Sequence, residues 1–394
     1  MGGIGRLLEQ TGWRRTRELG HIGVAQFGER SLKLLDNKRR SVYNDGVRAL
    51  PQMSPIPTLE EVAKLAGVSR ATASRVFTAS PRVSPRARRA VERAAVKLRY
   101  VPNRAARTLV TGRTDSIGLV IPEPTAFLFG DPFFPRLVRG ISEVLSRQLL
   151  QLVLLIPQSA EDETRLEGYL SAGHVDGVLM VSLHGNDPLP ERLHRRGTPV
   201  VLGGRPSANG PLTYVDVDNV GGARMAVEHL IAGRHRRIAT VTGPLDMGAG
   251  IDRLQGYRDA IRNGGLQSDG SFEQAGDFGQ ASGAAAMQAL LDRHPDLDAV
   301  FCASDVMAAG ALEVLRRQRR RVPQDIAVIG FDDSTIATST DPALSSVRQP
   351  IEEMGREMAR LLLAALDSGS SGGKQVILAT ELVVRASSGQ GGRE

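Results

Sequence analysis

From Ser116 onward, apolar runs of four to six residues alternate with amphipathic stretches of helix length. That alternation limits this part of the chain to a parallel α/β architecture, because parallel neighbours need a crossover between them. The strand candidates are Ile117–Ile121, Leu152–Ile156, Gly177–Val181, Pro199–Leu202, Tyr214–Val217, Ile238–Val241, Ala299–Ala303, Ile326–Phe331 and Leu382–Arg385. Helical segments such as Arg136–Leu149, Gly221–Ile231, Arg253–Asn263 and Met307–Arg317 fall between them. Nine strands over some 280 residues suit two doubly wound lobes better than one sheet.

Residues 54–113 read differently. They carry 13 basic and 3 acidic residues, whereas 114–394 carry 27 basic and 35 acidic. A small basic segment joined to an acidic body points to a nucleic-acid-binding head. Thr58-Leu59-Glu60-Glu61 is a capping box, and Leu59, Val62, Ala63 and Ala66 give the helix one apolar face. Gly67 ends it, and Ser69 caps a second helix from Arg70 to about Phe77. Ser84-Pro85 starts a third, with Ala87, Val91, Ala94 and Leu98 on one face. Two short helices across a glycine turn are a helix-turn-helix. Arg70, Ala71 and Arg75 point outward if Ala73, Val76 and Phe77 pack inward. Ser69, Thr72 and Ser74 are short hydroxyl residues suited to phosphate oxygens.

Other classes are harder to support. No apolar run reaches the ~18 residues of a membrane span, and no apolar leader opens the chain. The one cysteine, Cys302, cannot form a disulfide framework or a zinc cage. The seven histidines have no metal-ligand spacing, no GxGxxG follows a strand, and there is no P-loop. Residues 1–52 show no sustained periodicity, and patterned sequence begins abruptly at Met53. This predicts translation from Met53; a basic arm adding non-specific DNA affinity is the competing reading.

The stretches TLEEVAKLAGVSRATASRVF (Thr58–Phe77) and VSPRARRAVERAAVKLRYVPNRAARTL (Val83–Leu109) resemble the head-piece of the lac-repressor/galactose-repressor (LacI/GalR) family of bacterial regulators. The resemblance continues through IGLVIP (Ile117–Pro122), DPFFPRLVRGI (Asp131–Ile141), VDVDN (Val215–Asn219), RRIATVTGP (Arg236–Pro244), ASDVMAAGAL (Ala303–Leu312) and VPQDIAVIGFDD (Val322–Asp333). It spans residues 58 to about 387, and GPLDMGAGIDRLQGY is closest to actinobacterial sugar-responsive members. The resemblance implies an N-terminal three-helix head, a hinge helix, and two doubly wound lobes of the type I periplasmic-binding-protein kind. It divides the chain into an extension (1–52), a DNA-binding domain (53–101), a hinge and linker (102–113) and an effector and dimerisation body (114–390). Within the body the N-lobe takes about 114–214 and 348–372, and the C-lobe about 215–347 and 373–388.

The same resemblance implies a cytoplasmic repressor that binds a pseudo-palindromic DNA operator as a homodimer, with a tetramer left open. It implies no membrane, catalytic residue, metal or cofactor. Its effector would be a mono- or oligosaccharide. The alternatives are a purine or other metabolite, or an activator or co-repressed regulator. The family's base-reading positions fall on Arg70, Ala71 and Arg75. Thr58, Ser69, Thr72, Ser74, Asn103, Arg104 and Arg107 are expected at phosphates, and Leu109 as a minor-groove wedge. In the body, ligands bind beyond the carboxyl ends of parallel strands. That rule selects Asp131, Phe133 and Phe134, then Asp252 and Arg253, then Ser304 and Asp305, then Asp332. By the resemblance, Arg253 and Asp332 hold the effector. For Asp333 a structural role is the competing assignment.

Overall fold

Thr58 starts the first helix as its spacing predicts. In the computed structural model, which describes residues 57–77, 81–101, 108, 112–206, 210–266, 269–369 and 372–389, both halves of the capping box form. The Glu61 amide donates to the Thr58 hydroxyl at 3.3 Å, and the Thr58 amide to Glu61 Oε2 at 2.8 Å. Helix α1 (Leu59–Ala66) ends at Gly67, whose φ of +67° is the left-handed turn that glycine adopts without steric cost. Ser69 caps α2 (Arg70–Phe77) through the Thr72 amide at 3.1 Å, and Ser84 caps α3 (Pro85–Leu98) through the Ala87 amide at 3.3 Å. Their shared core is built of small side chains: Val62, Ala63, Ala73, Val76, Val91 and Ala94 are buried. Phe77 and Tyr100 close its edge, with ring centroids 5.4 Å apart. Residues up to Val101 form one unit and those beyond it a second.

The second unit has two lobes. The first runs β1 (Ser116–Val120), α4 (Thr125–Gly130), α5 (Phe133–Arg147), β2 (Gln151–Leu155), α6 (Ala160–Ser171), β3 (Gly177–Val181), α7 (Leu189–Arg195), β4 (Val200–Gly203) and β5 (Thr213–Val217). The second runs α8 (Asn219–Ala232), β6 (Ile238–Thr242), α9 (Gly248–Asn263), β7 (Glu273–Ala275), α10 (Gln280–Arg293), β8 (Ala299–Cys302), α11 (Asp305–Arg317), β9 (Ala327–Asp332), α12 (Thr335–Ser339) and β10 (Ser345–Arg348). Then α13 (Ile351–Ser368) and β11 (Gln375–Leu378) return to the first lobe, and β12 (Glu381–Val383) ends in the second. The chain thus crosses between lobes three times.

The first sheet has the order β11-β5-β4-β3-β1-β2 and is parallel throughout. The second has the order β12-β10-β9-β8-β6-β7, with only β12 antiparallel. Helices cover both faces, so central strands such as β3 and β9 are buried along their whole length.

All nine strands read from the sequence are present, with ends shifted by at most two residues. Three further strands were not anticipated. β7 is a three-residue edge strand, and β11 is an edge strand with only alternate positions half-buried. β10 reads Ser-Ser-Val-Arg, which has no apolar run, yet Ser345 and Ser346 are fully buried. Their polar groups are satisfied internally: the Ser345 amide donates to Ser387 Oγ at 2.8 Å, and Ser346 Oγ to Asp305 Oδ1 at 2.5 Å. The lobe limits also move. β11 pairs with β5, so 375–378 belongs to the first lobe and not to a C-lobe segment starting at 373. β5 likewise keeps residues 215–217 in the first lobe.

Candidate functional site

On the head, the outer face of α2 carries Arg70, Ala71 and Arg75, all exposed, while Ala73 and Val76 are buried. Arg70 Nε pairs with Glu60 of α1, and both side chains are largely in solvent. Such a pair costs little to exchange for another partner. Ser69 and Thr72 share a hydroxyl contact of 2.9 Å at the helix start. Ser74 is half-buried. Thr58 is exposed, with its hydroxyl engaged in the capping box. Asn103, Arg104, Arg107 and Leu109 lie outside the described residues, as does the extension 1–52.

In the body, one cavity opens between the lobes where the carboxyl ends of the strands converge. Its walls come from residues following strands of both sheets: Asp131 after β1, Ser182 after β3, Arg205 after β4, Met247 after β6, Phe278 after β7, Ser304 after β8 and Gln349 after β10. Asp332 contributes from the end of β9, and Asp216 from within β5. Phe133 and Phe134 open α5 on one wall, at 5.3 Å and nearly perpendicular. Phe134 is buried in the first lobe's core and Phe133 is half-buried, so Phe133 presents more surface. Phe278 stands opposite in sequence, in the second lobe, at a φ of +68° that a phenylalanine rarely adopts.

Arg253, in the second turn of α9, is the central charge. It is buried: its Nε donates to Asn219 Oδ1 at 2.9 Å, its Nη1 to the Ala303 carbonyl at 2.6 Å, and its guanidinium carbon lies 3.7 Å from the Phe331 ring centroid. Burial pulls its pKa below the usual arginine value, and the carboxylates of Asp332, Asp216, Asp305 and Asp131 oppose that. The guanidinium stays protonated in any case. Asp332 holds a backbone φ of +115° and takes Gln349 Nε2 on Oδ1 at 2.5 Å. Burial raises its pKa well above the ordinary carboxylate value, and Arg253 works against that rise. Asp131 and Asp216 are raised by burial too, and the Phe133 and Val217 amides oppose it. A non-glycine residue at such a φ is costly and persists where surrounding structure enforces it.

Six of the eight sequence-derived effector residues line this cavity: Asp131, Phe133, Phe134, Arg253, Ser304 and Asp332. Two do not. Asp252 turns to Arg205, accepting from Nη2 at 2.6 Å and Nε at 3.2 Å. Asp305 is fully buried behind the wall, where it accepts from the Ser334 amide at 2.7 Å and from Ser346 Oγ. Burial pushes its pKa up to about 7. Helical geometry separates Asp252 from Arg253, since adjacent side chains point about 100° apart. Asp333 is structural, held by Arg385 at 2.6 Å and Arg348 at 2.7 Å.

Several lining residues escaped sequence reading. Phe278 and Gln349 follow β7 and β10, the strands without an apolar run. Asp216 and Asn219 sit in the quoted VDVDN stretch; the strand-end rule applied to β5 selects Asn219, whereas Asp216 lies inside the strand, where the rule does not look. An ordered polar network with aromatic walls fits a polyhydroxylated ligand, whose hydroxyls need fixed partners and whose C–H faces need apolar contact.

Residues 58–103 match the family described as bacterial regulatory proteins, lacI family, and residues 227–388 match the periplasmic binding protein-like domain. The HTH-type transcriptional regulator CelR of Thermobifida fusca is 52% identical over 333 residues, covering 84% of this chain and 98% of the relative. Among solved structures, a transcriptional regulator CelR–cellobiose complex superimposes with a TM-score of 0.68 at 50% identity, covering 84% of this chain and 99% of that one. The lac repressor dimer bound to operator and an anti-inducer has a TM-score of 0.74 at 26% identity, with 84% and 99% covered.

Proposed function

The chain belongs to the lacI family of bacterial regulatory proteins, and from that premise we propose that it is a transcriptional repressor whose operator binding is set by a carbohydrate held between its lobes. Cellobiose or a closely related β-glucoside is the effector we assign, on the strength of the CelR–cellobiose likeness at 50% identity. The observation that carries the reading is the buried Arg253–Asp332 centre, ringed by Asn219, Gln349 and Phe278.

Residues 58–101 form the operator-reading unit, with 102–113 as the hinge. Arg70, Ala71 and Arg75 face bases, and Ser69, Thr72 and Ser74 face phosphates. Asn103, Arg104 and Arg107 belong to the hinge's phosphate contacts and Leu109 to its minor-groove wedge. The protein acts as a cytoplasmic homodimer on a pseudo-palindrome and has no catalytic role. Among the described residues no helix is long and apolar enough to cross a membrane.

A ligand shifts DNA binding only by its differential affinity for two lobe arrangements. Calorimetric titration with cellobiose, beside glucose and a purine nucleoside, tests the effector. Fluorescence anisotropy on a duplex selected from a random pool tests the coupling. Saturable cellobiose binding with a shifted operator affinity is expected. Purine binding with no response to either sugar would overturn the assignment.

A further inference from the structure

The Arg205–Asp252 pair is one end of a larger contact between the lobes. The segment that joins β6 to α9 in the second lobe, together with the first turns of α9, lies against the loops that follow β3 and β4 in the first. Asp246 takes His184 Nδ1 at 3.0 Å, and its carbonyl accepts from the Gly185 amide at 2.9 Å. Six residues on, Asp252 takes both ends of the Arg205 fork at 2.6 and 3.2 Å. Between them, a Cβ on Gly248 would lie 2.7 Å from the Arg205 carbonyl oxygen, so a side chain there would push the two segments apart. His184 is steadied from its own lobe by Glu123, which faces Nε2 at 3.2 Å and also accepts from Ser182. His184, Asp246 and Asp252 do not line the cavity.

We propose that Asp246, Gly248 and Asp252 clasp His184 and Arg205 across the cleft, holding the lobes together before any effector arrives. His184, Asp246 and Asp252 are thus positioning residues: they set effector affinity without touching the effector. The contact is two ion pairs, made by the loops that follow the neighbouring strands β3 and β4, around one backbone hydrogen bond, so ordering one orders the other. It also accounts for Asp252, which sits beside Arg253 in sequence and serves the lobe boundary instead of the ligand.

The test uses the full chain, spin-labelled through Glu163→Cys on α6 and Asp292→Cys on α10; both positions are exposed, while the native Cys302 is buried. Labelled chains are diluted into unlabelled ones, and the inter-lobe distance is measured by pulsed electron resonance without ligand. Asp246→Asn combined with Asp252→Asn, and separately Gly248→Ala, should move the distribution to longer distances. Asp252→Glu should restore the short distance. Cellobiose affinity, which rests on the function proposed above, should fall about tenfold in the double variant. Unchanged distances in both variants would overturn the clasp. If the wild type ignores cellobiose, the effector assignment fails while the distances still decide the clasp.

Discussion

Arg253 Nη1 stops 3.6 Å from Asp332 Oδ1, beyond a good hydrogen bond, although the same carboxylate oxygen accepts from Gln349 at 2.5 Å. The two charges therefore compensate one another electrostatically without using up each other's hydrogen-bonding capacity. A vicinal pair of sugar hydroxyls between them would donate to one and accept from the other. Asp332→Asn keeps the shape and removes the charge. It should weaken cellobiose binding about tenfold or more while leaving ligand-free operator affinity within about twofold, since a charge-assisted hydrogen bond contributes about 1.5–3 kcal/mol. Calorimetry and anisotropy on the same preparation check it; unaltered cellobiose affinity would move the effector elsewhere.

Arg253→Ala should behave differently. It leaves Asp332, Asp216 and Asp131 in the interior without the cation that offsets their burial. Removing one partner of a buried charge cluster costs about 3–5 kcal/mol. Urea unfolding should show that loss together with the absent sugar response, whereas Asp332→Asn should show mainly the second.

On the head, Arg75 lies on the exposed side of α2, one position before the buried Val76. Arg75→Ala should lose about 1–3 kcal/mol on the selected operator and relax preference at one base pair per half-site. Equal losses on random DNA would make it a phosphate contact instead. Arg70→Ala should show the same pattern, less the small cost of releasing Glu60.

The alternation of apolar runs made the two sheets legible because parallel strands are buried on both faces and write themselves as continuous hydrophobic stretches. The same physics hid β10. Its interior positions are serines: the Ser346 hydroxyl donates to Asp305, and the Ser345 hydroxyl is matched by the Arg385 backbone and the Ser388 hydroxyl. A matched polar group packs as well as an apolar one, and no periodicity announces it. With β10 went Gln349, and with the short edge strand β7 went Phe278. Asp252 and Asp305 fail for another reason. The strand-end rule finds the right loops, but neighbouring side chains point in different directions, and only one of each pair faces the cavity.

Asp305 tests that distinction. Asp305→Ala strips the Ser334 amide and the Ser346 hydroxyl of their partner in a fully buried place. Each unsatisfied group costs about 1–3 kcal/mol. The midpoint in urea should fall, while cellobiose affinity at a temperature where the variant is folded should stay within about threefold. A selective loss of sugar binding at unchanged stability would return Asp305 to the ligand.

His184 gives the clasp a pH signature. Its ring faces Glu123 on one side and Asp246 on the other, and their hydrogen bonds raise its pKa from 6.5 to about 9 against the cost of partial burial. A histidine raised on folding contributes stability that is complete below the unfolded value and is lost as pH climbs through the folded one. The contribution should therefore shrink from pH 6.5 upward and vanish above pH 9. His184→Gln removes the titrating group and keeps a polar side chain. The difference in melting temperature between wild type and His184→Gln, measured in steps from pH 6 to pH 10, should narrow across that window. Cellobiose affinity of the wild type should fall over the same range, because the charged ring is what draws Asp246 of the second lobe to the first. Parallel melting curves for the two proteins would show that His184 carries no charge at neutral pH and that the clasp rests on Arg205 and Asp252 alone.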